Sequence, residues 1–403
     1  MQKTLSPQQT SGGASPATTA LALYLHIPFC HVRCTYCAFN IYTKRAHLIA
    51  PYMAALRREI ALIGADATRP ALSVYFGGGT PSLVPPDEIA ATLEACRSTF
   101  ALDDSAEITL ELNPESADQD ALRALRRAGV NRLSVGMQSA HAEELKLYAR
   151  LHTLDDVREA VRLARATGFD NLSLDLIYGA PRQTMRMWQA SLHAALALEP
   201  EHISFYSLTI EDGTTFDRWA RSGRIPEPDP DLAADMYEWA TDVLAAAGYD
   251  QYEISNWARP GKASRHNLQY WRCEPYLGLG AGAHGYANGV RTRTVLRPDD
   301  YIARIEQQRA PRPFPLTDAV EDVETIDRDT AMSEVMIMGL RLVQEGVSPE
   351  AFEARFGVSL ESVYGSAIAP LREAGLLTTG PAGQLRLTRR GRLLGNQVFV
   401  AFI

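Results

Sequence analysis

Residues 21 to 39 read LALYLHIPFCHVRCTYCAF, a short apolar run that leads straight into three cysteines. The run LALYLHI reads as a strand, because its length and apolar content suit a buried element of a parallel sheet. Cys30, Cys34 and Cys37 then fall within eight residues. That spacing is poor for a disulfide framework and good for one metal centre. Three thiolates on one short loop can hold three irons of a cubane cluster and leave the fourth iron open. A structural zinc site would ask for four ligands in close pairs, with His26 or His31 as the neighbouring candidates for a fourth.

Downstream, short apolar runs alternate with helical patterns, which predicts βα units around a largely parallel sheet. Expected strands are residues 21 to 27, 72 to 77, 106 to 112, 132 to 137, 171 to 177, 201 to 208 and 249 to 255. Between them PYMAALRREIALI, DQDALRALRRAG, LDDVREAVRLARATG and TMRMWQASLHAALAL carry apolar residues at helical spacing. The unusual residues fall where the strands end: His26 and the cysteines, GGGTPS, Glu111 and Asn113, Gln138, Asp175, and Tyr206. Carboxyl ends of parallel strands converge on one mouth of a barrel or open sheet, so a single site built from six strand ends is expected.

The rest of the chain bounds this reading. Residues 1 to 18 are polar and aperiodic and are expected to form a disordered arm. Residues 19 to 320 are expected to form the main domain with its extension, and 321 to 403 a smaller α+β, winged-helix-like C-terminal domain of three helices and a hairpin. The formal charge is -8, from 40 Lys and Arg against 48 Asp and Glu. No basic stripe marks a nucleic-acid surface, no apolar run reaches the ~18 to 20 residues of a membrane span, and the start lacks a signal peptide's apolar core. A cytoplasmic location follows as the expectation. Cys96 sits in a helical pattern as a small core residue, and Cys273 beside YWRCEPY is also read as structural.

The segment LYLHIPFCHVRCTYCAF resembles the signature of radical SAM enzymes, and specifically the branch containing oxygen-independent coproporphyrinogen III oxidase. The resemblance implies a partial (β/α)6 TIM-like barrel, a [4Fe-4S] cluster on Cys30, Cys34 and Cys37, and S-adenosylmethionine (SAM) chelated to the open iron. It also implies an electron donor whose electron cleaves SAM to a 5′-deoxyadenosyl radical. By the same resemblance Gly78, Gly79 and Thr80 of GGGTPS face the methionine amino group, and Tyr24, Glu111, Gln138, Arg150 and Asp175 contact SAM. Their chemistry suits it, since carboxylates accept hydrogen bonds from ribose or amine and Arg150 can pair with a carboxylate.

Within that branch the chain departs from the oxidases: Phe39 stands where they carry a further cysteine, and only about 20 polar residues precede the first strand. Both departures argue against decarboxylation of porphyrinogen propionates, the alternative activity. YEISNWARPG (252 to 261), HNLQYW (266 to 271) and YLGLGAGAHGY (276 to 286) resemble instead the HemW family. That resemblance implies a haem chaperone, with a recipient haemoprotein as partner. Homodimer formation, and peripheral membrane association during haem transfer, stay open. His266 is the candidate axial haem ligand, because imidazole suits iron, and Tyr270 and Trp271 offer flat apolar surface to a porphyrin. The alternative is a loop packed under the barrel in which His266 is only hydrogen-bonded. The GLGAGAHGY segment is read as a further loop.

Overall fold

The computed structural model describes residues 20 to 63 and 69 to 403. The expected arm at 1 to 18 lies outside the described residues.

Twelve strands form one sheet. In chain order they are β1 (Leu21–Ile27), β2 (Pro70–Gly78), β3 (Ala101–Leu112), β4 (Arg132–Gln138), β5 (Leu172–Tyr178), β6 (His202–Ser207), β7 (Asp250–Glu253), β8 (Asn256–Ala258), β9 (Tyr276–Leu279), β10 (His284–Ala287), β11 (Val290–Thr294) and β12 (Val320–Thr325). The sheet order is β12-β11-β10-β9-β1-β2-β3-β4-β5-β6-β8-β7. Strands β1 to β6 pair parallel in sequence order, and β9 joins β1 as a further parallel neighbour. The remaining pairs are antiparallel. This is a partial (β/α)6 barrel extended at both edges.

The crossover helices Ile49–Ile63, Pro86–Thr99, Gln119–Ala128, Leu154–Ala166 and Met185–Leu196 fall where their apolar spacing puts them. Their ends follow local chemistry. Asp118 accepts from Ala121 N–H at the start of Gln119–Ala128, and Gly129 at φ 112° closes it. Thr153 and Asp156 form a capping box that starts Leu154–Ala166. Buried Leu23, Leu25, Val74, Phe76, Leu110, Leu133, Val135, Leu174, Ile203 and Trp188 join strands to helices in one core.

Two segments differ from the sequence expectation. GLGAGAHGY is a loop only at 280–283: its two ends belong to β9 and β10, which approach so closely that a Cβ on Gly278 would lie 1.9 Å from His284 O. HNLQYW is a helix, Arg265–Trp271, started by Ser264, whose Oγ accepts from Asn267 N–H. C-terminal to β12, helices Arg328–Gly339, Pro349–Phe356 and Leu360–Glu373 and the hairpin Leu377–Thr379/Leu385–Leu387 enclose a second core that includes Met336, Phe352, Ile368, Val398 and Phe402. Two short helices, Arg389–Leu393 and Gly395–Phe399, were not separated in the sequence pattern. Among the described residues, no helix is long and apolar enough to cross a membrane.

Candidate functional site

A cavity of about 630 Å³ opens at the carboxyl ends of the parallel strands. Its wall carries Cys30, Cys34 and Cys37, then Gly78, Gly79 and Thr80, then Glu111, Gln138, Arg150 and Asp175. All three cysteines and seven of the eight expected SAM contacts therefore share one space. Tyr24 is the exception, as it stands behind the wall. Its hydroxyl lies 3.0 Å from His26 Nδ1, while His26 Nε2 donates to Asn40 O at 2.9 Å. With Nε2 carrying the proton, Nδ1 accepts and Tyr24 donates. Both groups thus brace the cysteine loop from below.

The glycines of GGGTPS serve the same loop. A Cβ on Gly79 would lie 2.6 Å from Phe29 O and 2.8 Å from Ile27 O. Gly78 sits at φ 112° with the His26 ring where its side chain would be. Gly79 N–H donates to Ile27 O and Thr80 N–H to Phe29 O, both at 2.8 Å, and Thr80 Oγ1 donates to Cys30 Sγ at 3.4 Å. The expected close approach is therefore to the cysteine loop's own backbone. Gly79→Ala would push that loop out, and the expected result is loss of most reconstituted iron, checked by iron content against wild type.

Burial pushes the Cys30 thiol up to about 11 and raises that of Cys37. Deprotonating both in an empty pocket is therefore unfavourable, and a cationic metal centre is what would make thiolates of them. Among the described residues, no three His, Cys, Asp or Glu side chains converge tightly enough for a single metal ion. A mononuclear zinc centre, with bonds of ~2.3 Å to sulfur, would need that convergence. Three thiols of one loop on one cavity wall are the donor set a [4Fe-4S] cluster with one open iron takes. Arg150 adds positive charge: Nη1 lies 3.8 Å from Cys34 Sγ, and Nη2 donates to Asn113 Oδ1 at 2.7 Å and Gly136 O at 3.1 Å.

The two carboxylates are held differently. Glu111 accepts from Gly78 N–H and from the Tyr75 hydroxyl, each at 3.0 Å. Burial, with Asp175 adding repulsion, raises its pKa to about 7. Asp175 accepts from Ser134 at 2.9 and 3.1 Å and from Ser173 at 3.3 Å, and burial raises its pKa too. A carboxyl raised from 4.5 to about 7 on folding favours the folded state while protonated. That contribution is whole below the unfolded pKa and is lost as the pH rises through about 7. Glu111→Gln, neutral throughout, should therefore raise the ligand-free melting temperature more at pH 8 than at pH 5, as calorimetry at the two pH values would read. Gln138 takes φ 60° at the end of β4, an uncommon backbone for a non-glycine residue that places its amide on the cavity wall.

The haem candidates do not join this space. His266 is 1% exposed. Its Nδ1 lies 2.9 Å from Ser73 Oγ and its Nε2 2.7 Å from the Tyr270 hydroxyl, and its ring stacks on Tyr75 at 5.0 Å. Burial lowers its pKa to about 3. Both ring nitrogens are hydrogen-bonded here, so ligation of iron by His266 would require the Ser73 or the Tyr270 contact to be given up. Trp271 points the other way, with the Arg341 guanidinium 4.4 Å above its ring. The helix is thus a plug between the barrel floor and the C-terminal core. Several cavity residues lie outside the candidates that the sequence marks, among them Arg132, Ser134 and Asn267. Arg132, Ser134, Gly136 and Gln138 alternate along β4, and that period-two face was the available signal.

Comparison with known proteins agrees with this architecture. The radical SAM superfamily model matches residues 24–195, and the HemN C-terminal domain model matches 326–394. The protein named Heme chaperone HemW of Bacillus subtilis is 38% identical over 94% of this chain and 98% of its own length. The Mycobacterium tuberculosis protein of the same name is 35% identical over 97% of both. The Bos taurus protein named radical S-adenosyl methionine domain-containing protein 1, mitochondrial, is 37% identical over 98% of this chain and 91% of its own. The structure of Escherichia coli coproporphyrinogen III oxidase (HemN) superposes with a TM-score of 0.82 at 24% identity, covering 96% of this chain and 90% of that one, a likeness of fold. With its cysteine loop, strand-end site and C-terminal module all spanned by these matches, the chain belongs to the HemW-type family of radical SAM proteins.

Proposed function

We propose that this protein is a haem chaperone: it binds haem, carries a [4Fe-4S] cluster and SAM in the barrel mouth, and delivers haem to a recipient haemoprotein. The observation that carries the reading is near full-length similarity to proteins named as haem chaperones, at 35 to 38% identity, joined to a cavity in which the cysteines and SAM-type contacts meet. In this assignment Cys30, Cys34 and Cys37 hold the cluster, and the bound cluster and SAM supply one-electron chemistry. Gly78, Gly79 and Thr80 fix the loop. Glu111 and Asp175 accept hydrogen bonds from SAM, Gln138 offers its amide, and Arg150 balances its carboxylate. Tyr24 acts through His26 and not by contact.

Phe39 supports the chaperone over the oxidase. It is 68% exposed beside the cysteines, an apolar surface suited to a macrocycle. We further infer that an electron donor approaches the exposed loop at His31 to Arg33, and that the chain divides a few residues beyond the expected 320, between β12, which stays in the main sheet, and the helix Arg328–Gly339 that opens the second core. A cytoplasmic setting fits the composition; haem-linked dimerisation and peripheral membrane contact are outcomes to read in the same preparation by sedimentation and vesicle flotation.

The test is haem titration of the anaerobically reconstituted protein alongside a coproporphyrinogen turnover assay. One haem per chain and no decarboxylation are expected. Efficient decarboxylation, or no specific haem binding, would overturn the assignment.

A further inference from the structure

At the bottom of the barrel cavity, away from the cysteines, stands a cation with no counterion bound to it. Arg132 is 2% exposed and lines the cavity, yet its Nε has no hydrogen-bond partner among the described residues. Its register partner on β3, Thr109, is fully buried with an equally unpartnered hydroxyl. A guanidinium stays protonated at any ordinary pH, and holding one out of water without a partner costs several kcal/mol. Asp175, the acid that feels its charge, is already bonded to Ser134 and Ser173.

The same cavity wall offers further hydrogen-bonding groups: Ser204 and the amide of Asn267, which the plug helix Arg265–Trp271 brings up from below. Arg132 begins β4 and Gln138 ends it, so the two lie ~20 Å apart along the strand. Arg150, at the cysteine end, is the group placed for the SAM carboxylate; Arg132 belongs to whatever fills the space beneath.

We propose that Arg132 and Asn267 form a carboxylate subsite at the floor of the barrel, occupied by an acid group of the guest molecule. The planar guanidinium fork matches a carboxylate's two oxygens. With one guanidinium and the Asp175 carboxyl close enough to feel its charge, a dianionic phosphate is disfavoured more strongly than a singly charged carboxylate. It also gives the HNLQYW helix a role that needs no iron ligation: Asn267, whose N–H donates to Ser264 Oγ, faces the guest. The carboxylate can come from a porphyrin propionate, which rests on the haem reading above, or from a free small acid, which does not.

Two pairs of probes separate these sources: haem against haem dimethyl ester by absorbance titration, and succinate against succinamide by ligand-induced thermal shift. Each is applied to wild type, Arg132→Met and Arg132→Lys. For at least one pair, wild type should bind the acid about tenfold more tightly than its neutral analogue, a difference of ~1.4 kcal/mol. Arg132→Met should erase that preference, Arg132→Lys should retain part of it, and ligand-free Arg132→Met should melt no lower than wild type. Absence of an acid preference in both pairs, its survival in Arg132→Met, or a ligand-free melting point well below wild type would overturn the proposal. If neither haem nor its ester binds, the haem reading fails while the succinate pair still decides the subsite.

Discussion

Cys34→Ala is expected to take reconstituted iron from about four atoms per chain to near none and to abolish the visible absorbance of the cluster. The ligand-free fold should melt within a few degrees of wild type. Cys34 is half-buried on a loop, and no hydrophobic cluster depends on it. Its value lies in its place on the cavity wall, with Arg150 Nη1 3.8 Å from its sulfur. Two remaining thiols cannot complete a three-point attachment, and the shared wall holds no fourth cysteine. Cys96→Ala supplies the contrast: that thiol is buried in the helix Pro86–Thr99, and its loss should leave iron content unchanged. Full iron content in Cys34→Ala would remove the cysteine loop from the account.

His266→Ala is expected to act on stability and to leave haem affinity alone. The substitution strips partners from Ser73 Oγ and the Tyr270 hydroxyl and removes a ring stacked on Tyr75. Each buried group left unsatisfied costs about 1 to 3 kcal/mol, and the cavity adds more. A total of about 3 to 5 kcal/mol should lower the melting temperature by on the order of 10 °C. Haem titration below that transition should give a dissociation constant within about twofold of wild type. A tenfold loss of haem affinity with an unchanged melting point would mean that the helix swings open and His266 ligates iron.

The difference between these two residues shows which parts of the molecule were legible. The cysteine loop and the strand ends could be read because alternation fixes which residues face inward, and parallel topology gathers strand ends at one mouth. Glu111, Gln138 and Asp175 therefore met the cysteines as expected. HNLQYW could not be read that way. A seven-residue helix mixing polar and aromatic side chains has too few turns to reveal a face, and its packing depends on Ser73, distant in sequence. GLGAGAHGY reads as a loop because glycines usually mark turns; here Gly278 permits two backbones to approach closely within a sheet. Arg132 carried no motif, and only a strict period-two reading of β4 would have set it inside the barrel.

Delivery of haem can be watched as transfer to a recipient. The reconstituted, haem-loaded protein is mixed with an excess of an apo-haemoprotein, the two are separated, and the haem spectrum of each is recorded over time. One haem per chain should leave the donor and appear in the recipient as its native spectrum, faster than from free haem held by an unrelated carrier. Haem that stays on the donor, or reaches the recipient no faster than from that carrier, would contradict delivery.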